Sequence, residues 1–520
     1  MRISLKVLAA LSALVSVAAS SREPAATVLR SFTLPGYTLL APDTVVAERV
    51  ATMFAQADRV LAQVLERELH ASSIPTTVVV LSVADVDRYF GGPHAFFSAP
   101  YQSFSNTILI TAEKNHDDLR TDIFHQATHS FLRSQFNAEI PVWFSEGLAL
   151  FMTPNELEGR QVVLGESRFR SANAVESPRR MNSFGDEDFP KQTHEREDWY
   201  DIGDLLSARA DSAVLSTSEN SYFMRRQCWL MAHKAFIDDS QFKQSMFRYL
   251  EAVNSFVPIE TAVRQSFGMS AADLDRALYR YSQRQSYALS TITFTPPAPS
   301  SPGEGTSMPA ATMFEQLANL ALDSGAELRH IDELIAAAAR HGLDAPRLLL
   351  LRLRLASQEK DDATVESVLD DLEGKLSEPA VARSAGLAIY ERVSRNEDRK
   401  AATSPAALQL LARAQDLVSR ALKAQPDDAQ AAWVNGVIAV RLSRDLDVAL
   451  IHLEHARHNH PENPDVTAVL ATIHFMRSEH EPMVARLQDT LRFSRSSDQR
   501  RWAARQLAAA RSESTPSAAK

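Results

Sequence analysis

Hydrophobic positions in the first part of the chain change between helical and strand spacing. Residues 44–69 carry apolar side chains at helical intervals, which predicts an amphipathic helix. The β-branched runs at 74–83 and 106–112 predict two strands, and helical spacing resumes from Asp117. This alternation predicts an α+β domain in which a strand leads into a helix.

After a polar insertion, the rest of the chain is predicted to be mostly helical, with one interruption. Residues 153–220 are polar and irregular, which predicts a long loop insertion of the kind that forms a lid or a binding surface. Helical spacing returns at 221–287 and is interrupted by a Pro/Ser/Gly-rich segment at 293–310. That composition predicts a linker between a domain at 21–292 and a helical domain at 311–510.

Two segments of the helical domain match each other at an offset of 35 residues. The matching pairs are Ala414 and Ala449, Val418 and Leu453, Ala421 and Ala456, and Pro426 and Pro461. Small residues in a helix that is closed by proline resemble the tetratricopeptide repeat, whose paired helices stack on their neighbours. Such an array typically binds protein partners. Residues 511–520 are predicted to be a disordered tail.

The N-terminus has the three parts of a secretory signal peptide. Arg2 and Lys6 give a positive charge to the segment before an apolar core at 7–17, and small residues near Ala19 suit cleavage. We therefore expect residues 1–20 to be removed and the mature chain to be periplasmic or secreted in a bacterium. The apolar core is short for a membrane span, although an uncleaved anchor is the alternative. No later run predicts a span in the mature chain.

Composition narrows the classes of partner. The chain has 520 residues, a net charge of −10 and a single cysteine, Cys228. The acidic balance argues against binding to nucleic acid, because no basic stripe is present to neutralise phosphates. A lone cysteine excludes an intrachain disulfide, and within an apolar helix it is typical of a small core residue.

The stretch "FHQATHSFLR" holds the first candidate chemistry. His125 and His129 are four residues apart, so both imidazoles face one side of the predicted helix and can reach one metal ion. The zinc hydrolase signature His-Glu-x-x-His has this spacing, but Gln126 stands where the glutamate should be. Taken alone, the pair also fits a polar helix face with two ordinary histidines.

A second motif follows in "IPVWFSEGLALF", which contains Glu146. It resembles the Trp-x-x-Glu-Gly context of the gluzincin (peptidase MA-like) zinc metallopeptidases, whose second helix supplies a glutamate as third ligand. The matching positions are Trp143, Ser145, Glu146, Gly147, Leu148 and Ala149. The resemblance covers roughly residues 40–290 and includes "CWLMAHKAF". It implies a gluzincin-like fold and a zinc site formed by His125, His129 and Glu146.

The chain departs from that family at three positions. Gln126 cannot accept the proton that the family's glutamate removes from the attacking water, a loss of about 10²–10⁴-fold in rate. Leu150 replaces a carboxylate that orients a ligand histidine, a loss of about 10–100-fold in affinity or activity. Arg225 stands where the family has an oxyanion-stabilising tyrosine, with Tyr222 nearby as the alternative.

Asp122 is the candidate replacement for the lost carboxylate. It lies one turn before His125 and Gln126 and so shares their side of the helix. From there it would hold His125 in the metal-binding tautomer. The alternative is a solvated acid in the first turn of the helix, a position that the helix dipole favours.

These features predict an exported metallopeptidase-like protein with a zinc site and impaired catalysis, a pseudoenzyme that binds a peptide or protein without cutting it. One alternative is an active zinc peptidase that uses another base. A second alternative is a scaffold that binds no metal.

Overall fold

The computed structural model describes most of the chain. The described residues are 28–67, 74–91, 104–112, 116–136, 139–153, 156–166, 199–208, 218–284, 286–296, 302–394 and 404–514. The described residues are 70% helical, with a small mixed sheet. This composition is consistent with the predicted α+β class and a helical repeat region.

The strands and helices are numbered here in chain order. The strands are β1 (Arg30–Leu34), β2 (Tyr37–Ala41), β3 (Thr76–Leu81), β4 (Asn106–Thr111), β5 (Glu156–Glu158), β6 (Gln161–Leu164), β7 (Ser290–Thr293) and β8 (Thr306–Ser307). The helices before β7 are α1 (Thr44–Leu65), α2 (Val83–Phe90), α3 (His116–Gln135), α4 (Val142–Phe151), α5 (Ile202–Ser207), α6 (Ser218–His233), α7 (Ser240–Asn254), α8 (Ile259–Phe267) and α9 (Ala271–Ser282). Those after β8 are α10 (Ala310–Ser324), α11 (Leu328–Arg340), α12 (Ala345–Glu359), α13 (Asp362–Leu372), α14 (Pro379–Ser394), α15 (Pro405–Ala424), α16 (Ala429–Leu442), α17 (Leu446–Asn459), α18 (Pro464–Met476), α19 (His480–Phe493) and α20 (Ser497–Ser514).

The predicted strands and helices of the first region are confirmed, and two hairpins add to them. The predicted strands correspond to β3 and β4, and the helix that carries the histidines is α3. The β1–β2 hairpin turns at Gly36, whose φ of +88° is a conformation that glycine adopts without strain. A second hairpin, β5–β6, lies within the polar 153–220 region that is predicted to be a loop. That prediction is wrong for 156–164, since the chain there pairs with β7.

The main sheet has helices on both faces. Its strand order is β4-β3-β2-β1-β8, with β2, β3 and β4 parallel and β1 antiparallel to both neighbours. Successive side chains point to opposite faces of a strand. Leu39, Val78, Val80, Ile108 and Ile110 pack with α1 and α3 on one face. Leu40, Val79, Leu81 and Leu109 pack with α2, α10 and α11 on the other.

The prediction of a linker at 293–310 is wrong for the described parts of this segment. Its start belongs to β7, and Thr306–Ser307 forms β8 at the edge of the main sheet. Directly after β8, the Met308 amide donates to the Leu29 carbonyl oxygen at 3.0 Å. The described parts of this segment are therefore tied to the sheet, and the first helices after it cover a sheet face that would otherwise expose aliphatic side chains.

Helices α10 to α20 pack as a repeat-like array. The ends of two helices match the sequence offset: α15 ends at Ala424 and α17 at Asn459, which is 459 − 424 = 35 residues later. The six small or aliphatic residues of the two matched sets are all buried. Gly436 permits close packing in this region, because a Cβ there would lie 2.6 Å from Leu453 Cδ1. Since α20 continues to Ser514, the predicted tail is helical in its first part.

The far end of the array returns to the first region. The Ser497 amide donates to Glu139 Oε2 at 2.6 Å, and Arg495 Nε donates to the Phe136 carbonyl oxygen at 3.1 Å. An Arg500 guanidinium nitrogen donates to the Asn254 carbonyl oxygen at 3.1 Å. Both Phe136 and Glu139 lie between α3 and α4. The array therefore contacts the first region of the chain at both of the array's ends.

Several sequence predictions fall outside the described residues. They are the signal peptide at 1–20 and the central part of the predicted lid at 167–198. Among the helices that the structure describes, none combines the length and apolarity that crossing a bilayer requires.

The covering of the sheet by α10 and α11 predicts how truncated chains behave. A chain that starts at residue 28 and ends at 292 loses these helices and exposes the four aliphatic side chains of that sheet face. Burial of each such side chain stabilises by about 1.5–3 kcal/mol. We expect this chain to lack a cooperative thermal transition by circular dichroism, whereas a chain that ends at 360 and keeps α10 to α12 melts cooperatively. Equal melting of the two chains would contradict this packing account.

Candidate metal centre

His125 and His129 lie one turn apart in the middle of α3. Their Nε2 atoms are 3.2 Å apart, and the rings meet edge to face with centroids separated by 4.8 Å. The helix is held against the sheet and α1 by Leu119, Ile123 and Phe124, which belong to the same core cluster. The rest of α3 therefore fixes the backbone from which both imidazoles project.

Glu146 projects from α4 toward the same point. Its Oε1 lies 3.5 Å from His129 Nε2, and its Oε2 lies 4.0 Å from His125 Nε2. One ligand atom from each of the three residues lies within 4.8 Å of the others. The structure thus brings together the three residues that the sequence predicts as metal ligands, and this group could hold a metal ion.

The three donors are of types that zinc binds, and they are compatible with a metal ion. Zinc binds imidazole nitrogen and carboxylate oxygen at about 2.0–2.2 Å in a tetrahedral arrangement, which separates neighbouring donors by about 3.3–3.5 Å. The two imidazole nitrogens are 3.2 Å apart, and each lies nearest to a different oxygen of Glu146, at 3.5 and 4.0 Å, which is compatible with such a site. Glu146 Oε2 is also buried and accepts no hydrogen bond from the described residues. Three protein donors of this kind leave a fourth position for a ligand.

Ser145 orients one of the ligand histidines. Its Oγ lies 2.8 Å from His129 Nδ1. In the tautomer that carries the proton on Nδ1, this N–H donates a hydrogen bond to Ser145 Oγ. Nε2 then keeps its lone pair and faces Glu146, and this is the tautomer that binds a metal. The sequence does not single out Ser145 for this role, although it is adjacent to the predicted ligand Glu146. A hydroxyl on α4 therefore supports a ligand on α3.

Gly147 allows α4 to approach α6 closely. A Cβ at this position would lie 2.3 Å from the Cys228 carbonyl oxygen and 2.8 Å from its carbonyl carbon. Any larger residue would push the two backbones apart and carry Glu146 with α4. Cys228 itself is fully buried, which confirms the prediction of a core residue.

Burial favours the neutral form of His129. Removal from water lowers the pKa of His129 below its usual range, and the nearby Arg133 and Arg225 add to this effect, while Glu146 opposes it. A neutral imidazole is the form that binds a metal ion. Arg225, on α6, places its Nε 3.7 Å from Glu146 Oε2, so a cation lies beside the third ligand.

Three other residues that the sequence singles out, Gln126, Leu150 and Asp122, are buried. Gln126 is 5% exposed, and its amide oxygen has no hydrogen-bond partner among the described residues. Leu150 is buried in the apolar core that holds α4, where a carboxylate would be costly. The alternative of a solvated Asp122 in the first helical turn is wrong, because Asp122 is 3% exposed and lies in the second turn. The side chain of Tyr222 lies outside the described residues.

No protein-family model matches this sequence, and no curated protein matches it. The site is therefore described by the positions of its own side chains.

The hydrogen bond between Ser145 and His129 predicts how two variants bind zinc. Ser145→Ala removes the acceptor of the Nδ1 proton, so His129 loses its fixed orientation. Loss of such a partner weakens metal binding by about 10–100-fold, and competition with a chromogenic chelator measures the zinc affinity. Ser145→Thr keeps the hydroxyl and should bind zinc nearly as well as the native chain. Unchanged zinc affinity in Ser145→Ala would exclude the orienting role.

Proposed function

We propose that this chain is an exported metallopeptidase-like protein of the gluzincin type that binds a peptide or protein ligand at a zinc site without efficient hydrolysis. The observation that carries the proposal is the convergence of His125, His129 and Glu146 beside a buried glutamine. Export rests on the signal-peptide pattern of the sequence alone.

The three donors support zinc as the bound ion. Two neutral imidazoles and one carboxylate form a common ligand set of catalytic zinc sites. Bound zinc would polarise a carbonyl oxygen and acidify water. The protein's own contribution is to hold the donors in place: α3 carries two of them, Ser145 orients one, and the contact of α4 with α6 at Gly147 positions Glu146.

The glutamine at the general-base position argues for weak hydrolysis. The amide of Gln126 cannot take and return a proton at neutral pH. Another acid near these helices, Glu139, is held at the start of α20, where it accepts a hydrogen bond from the Ser497 amide at 2.6 Å. Asp122 is buried one turn before His125 and Gln126. An active peptidase that uses a different base is therefore the less favoured candidate.

Two features support a peptide or protein as the ligand. Strand β4 is one of the two edge strands of the main sheet among the described strands, and an extended peptide can add to such an edge by backbone hydrogen bonds. β4 lies beside the helix that carries the histidines, since Arg133 of α3 donates to Asn106 Oδ1 at 2.9 Å. The repeat-like array, which we propose to be of the tetratricopeptide type, is an architecture that binds protein partners.

Restoring the missing carboxylate tests the proposal. We expect the zinc-loaded Gln126→Glu variant to hydrolyse fluorescently labelled casein at least about 10²-fold faster than the native chain, as a positioned general base contributes about 10²–10⁴-fold. Gln126→Ala is the control for a loss of packing without a new carboxylate. Native hydrolysis as fast as that of Gln126→Glu would contradict the proposal and favour an active peptidase. A chain that takes up no zinc would favour the scaffold alternative.

A further inference from the structure

A phenylalanine ahead of the edge strand β4 packs on the repeat-like array. Phe104 lies two residues before β4, and its ring centroid is 5.6 Å from that of Trp433 on α16. Trp433 also meets Tyr390 of α14 edge to face, with 5.5 Å between the centroids. Phe104 therefore packs against the core cluster of the array, although the strand that follows it belongs to the main sheet.

Trp433 stands at one end of a partly exposed apolar face. Trp433, Val437 and Val440 are spaced four and three residues apart on α16, so their side chains lie on one side of the helix. All three are only partly buried. The apolar face of α16 therefore continues beyond the contact with Phe104.

Helix α18 repeats α16 at the offset of 35 residues. The side chain of Asp428 caps the start of α16, and that of Asn463, which is 463 − 428 = 35 residues later, caps the start of α18. A serine with a positive φ follows each helix, at Ser443 and Ser478. The two helices therefore occupy equivalent positions in successive repeats.

This equivalence extends the apolar face onto α18. Phe475 takes the position of Val440 one repeat later, and it is 63% exposed. The two helices lie in close contact, because a Cβ at Gly436 would be 2.8 Å from Val469 Cγ1. The apolar strip is defined here by four residues, Trp433, Val437, Val440 and Phe475. Phe104 covers one end of this strip, and the other end is exposed.

Phe104 indicates the chemistry of a ligand for the strip. Its ring and the indole of Trp433 are both half-buried, so the ring can leave without opening a buried core. Aromatic side chains pair favourably at such centroid distances. An aromatic side chain of a partner offers the same contact, and apolar residues beside it would cover Phe475. A peptide on the edge of β4 that extends beyond Asn106, the first residue of the strand, arrives beside Phe104.

We propose that the apolar strip binds an extended segment of a partner protein, and that Phe104 occupies its aromatic end until an aromatic side chain of that segment displaces it. Phe104 is thus a ligand from the same chain that the partner has to replace. The inference rests on the part of the proposed function that assigns protein binding to the array, and it requires no metal ion.

A peptide copied from this chain is the probe. Residues 103–107 read Ser-Phe-Ser-Asn-Thr, and the probe is the acetylated amide with 4-fluorophenylalanine as its aromatic residue. Fluorine NMR follows its binding to the mature chain; the unlabelled peptide should compete, and the same peptide with alanine at the aromatic position should not. A ligand tethered in the same chain competes at an effective concentration of about millimolar. We therefore expect Phe104→Ala to bind the probe about 10-fold or more tightly than the native chain.

Three further variants control for a loss of packing. Phe104→Tyr keeps a ring on the strip and should bind the probe as weakly as the native chain. Trp433→Ala, added to Phe104→Ala, removes the aromatic end and should abolish measurable binding. Trp502→Ala, added in its place, removes a tryptophan that packs on a separate core cluster of the array and should leave binding unchanged. Thermal melting by circular dichroism verifies the folding of each variant.

The outcomes decide whether the strip binds a partner. Equal affinity of the native chain and Phe104→Ala, unchanged affinity after Trp433→Ala, or absence of binding in every folded chain overturns the proposal. If Phe104→Ala does not fold, Trp433→Ala in the native chain replaces it and should abolish the weak native binding. A native dimer that Phe475→Ser dissociates would assign the strip to a second copy and would also overturn the proposal.

Zinc content, measured on the same samples, separates this inference from the proposed metal site. A chain that takes up zinc but fails the peptide tests loses only this inference. A chain that binds the probe as expected but takes up no zinc loses the metal site of the proposed function and keeps the apolar strip.

Discussion

The site depends on the close contact of α4 with two other helices. Gly147 brings the backbone of α4 against α6 at Cys228, and Ser145, two residues earlier, reaches across to His129 on α3. Glu146 lies between these two contacts and is therefore directed at the histidines by both of its neighbours. The short distances of 3.2 Å between the two imidazoles, and of 3.5 and 4.0 Å from them to the two oxygens of Glu146, therefore depend on backbone packing as much as on the three side chains themselves.

The helical array takes part in the same structure at both ends. Its first helices complete the core of the sheet that carries α3, and its last helix is capped by Glu139 in the segment that joins α3 to α4. Because the two ligand-bearing helices meet at this segment, the array is attached close to the element that sets their relative position. The array therefore contacts the connection between the two helices directly, although it does not touch the three candidate donors in the described contacts.

The sequence predicts many of the elements and the candidate donors, because both leave periodic or local signals. β3, β4, α1 and α3 follow from apolar spacing. His125 and His129 follow from their spacing on one helix and Glu146 from the resemblance of its motif to that of the gluzincins, and the structure brings the three together. The partner of His129 cannot be predicted in this way, since Ser145 meets it only when α4 crosses α3. The composition of 293–310 likewise suggests a linker, because pairing with β1 depends on a strand far away in the chain. Contacts between distant elements are thus the part that pattern alone does not reveal.

The central claim is that these three side chains form a zinc site, and metal content tests it most directly. Elemental analysis of the mature protein, purified without a metal-binding tag and reconstituted with zinc, should give about one zinc ion per chain, as expected for a single three-ligand site. The His125→Ala variant, which loses one donor and is checked for folding by circular dichroism, should give none under the same conditions. Absence of zinc from the native chain after reconstitution, or equal zinc in the variant, would contradict the account.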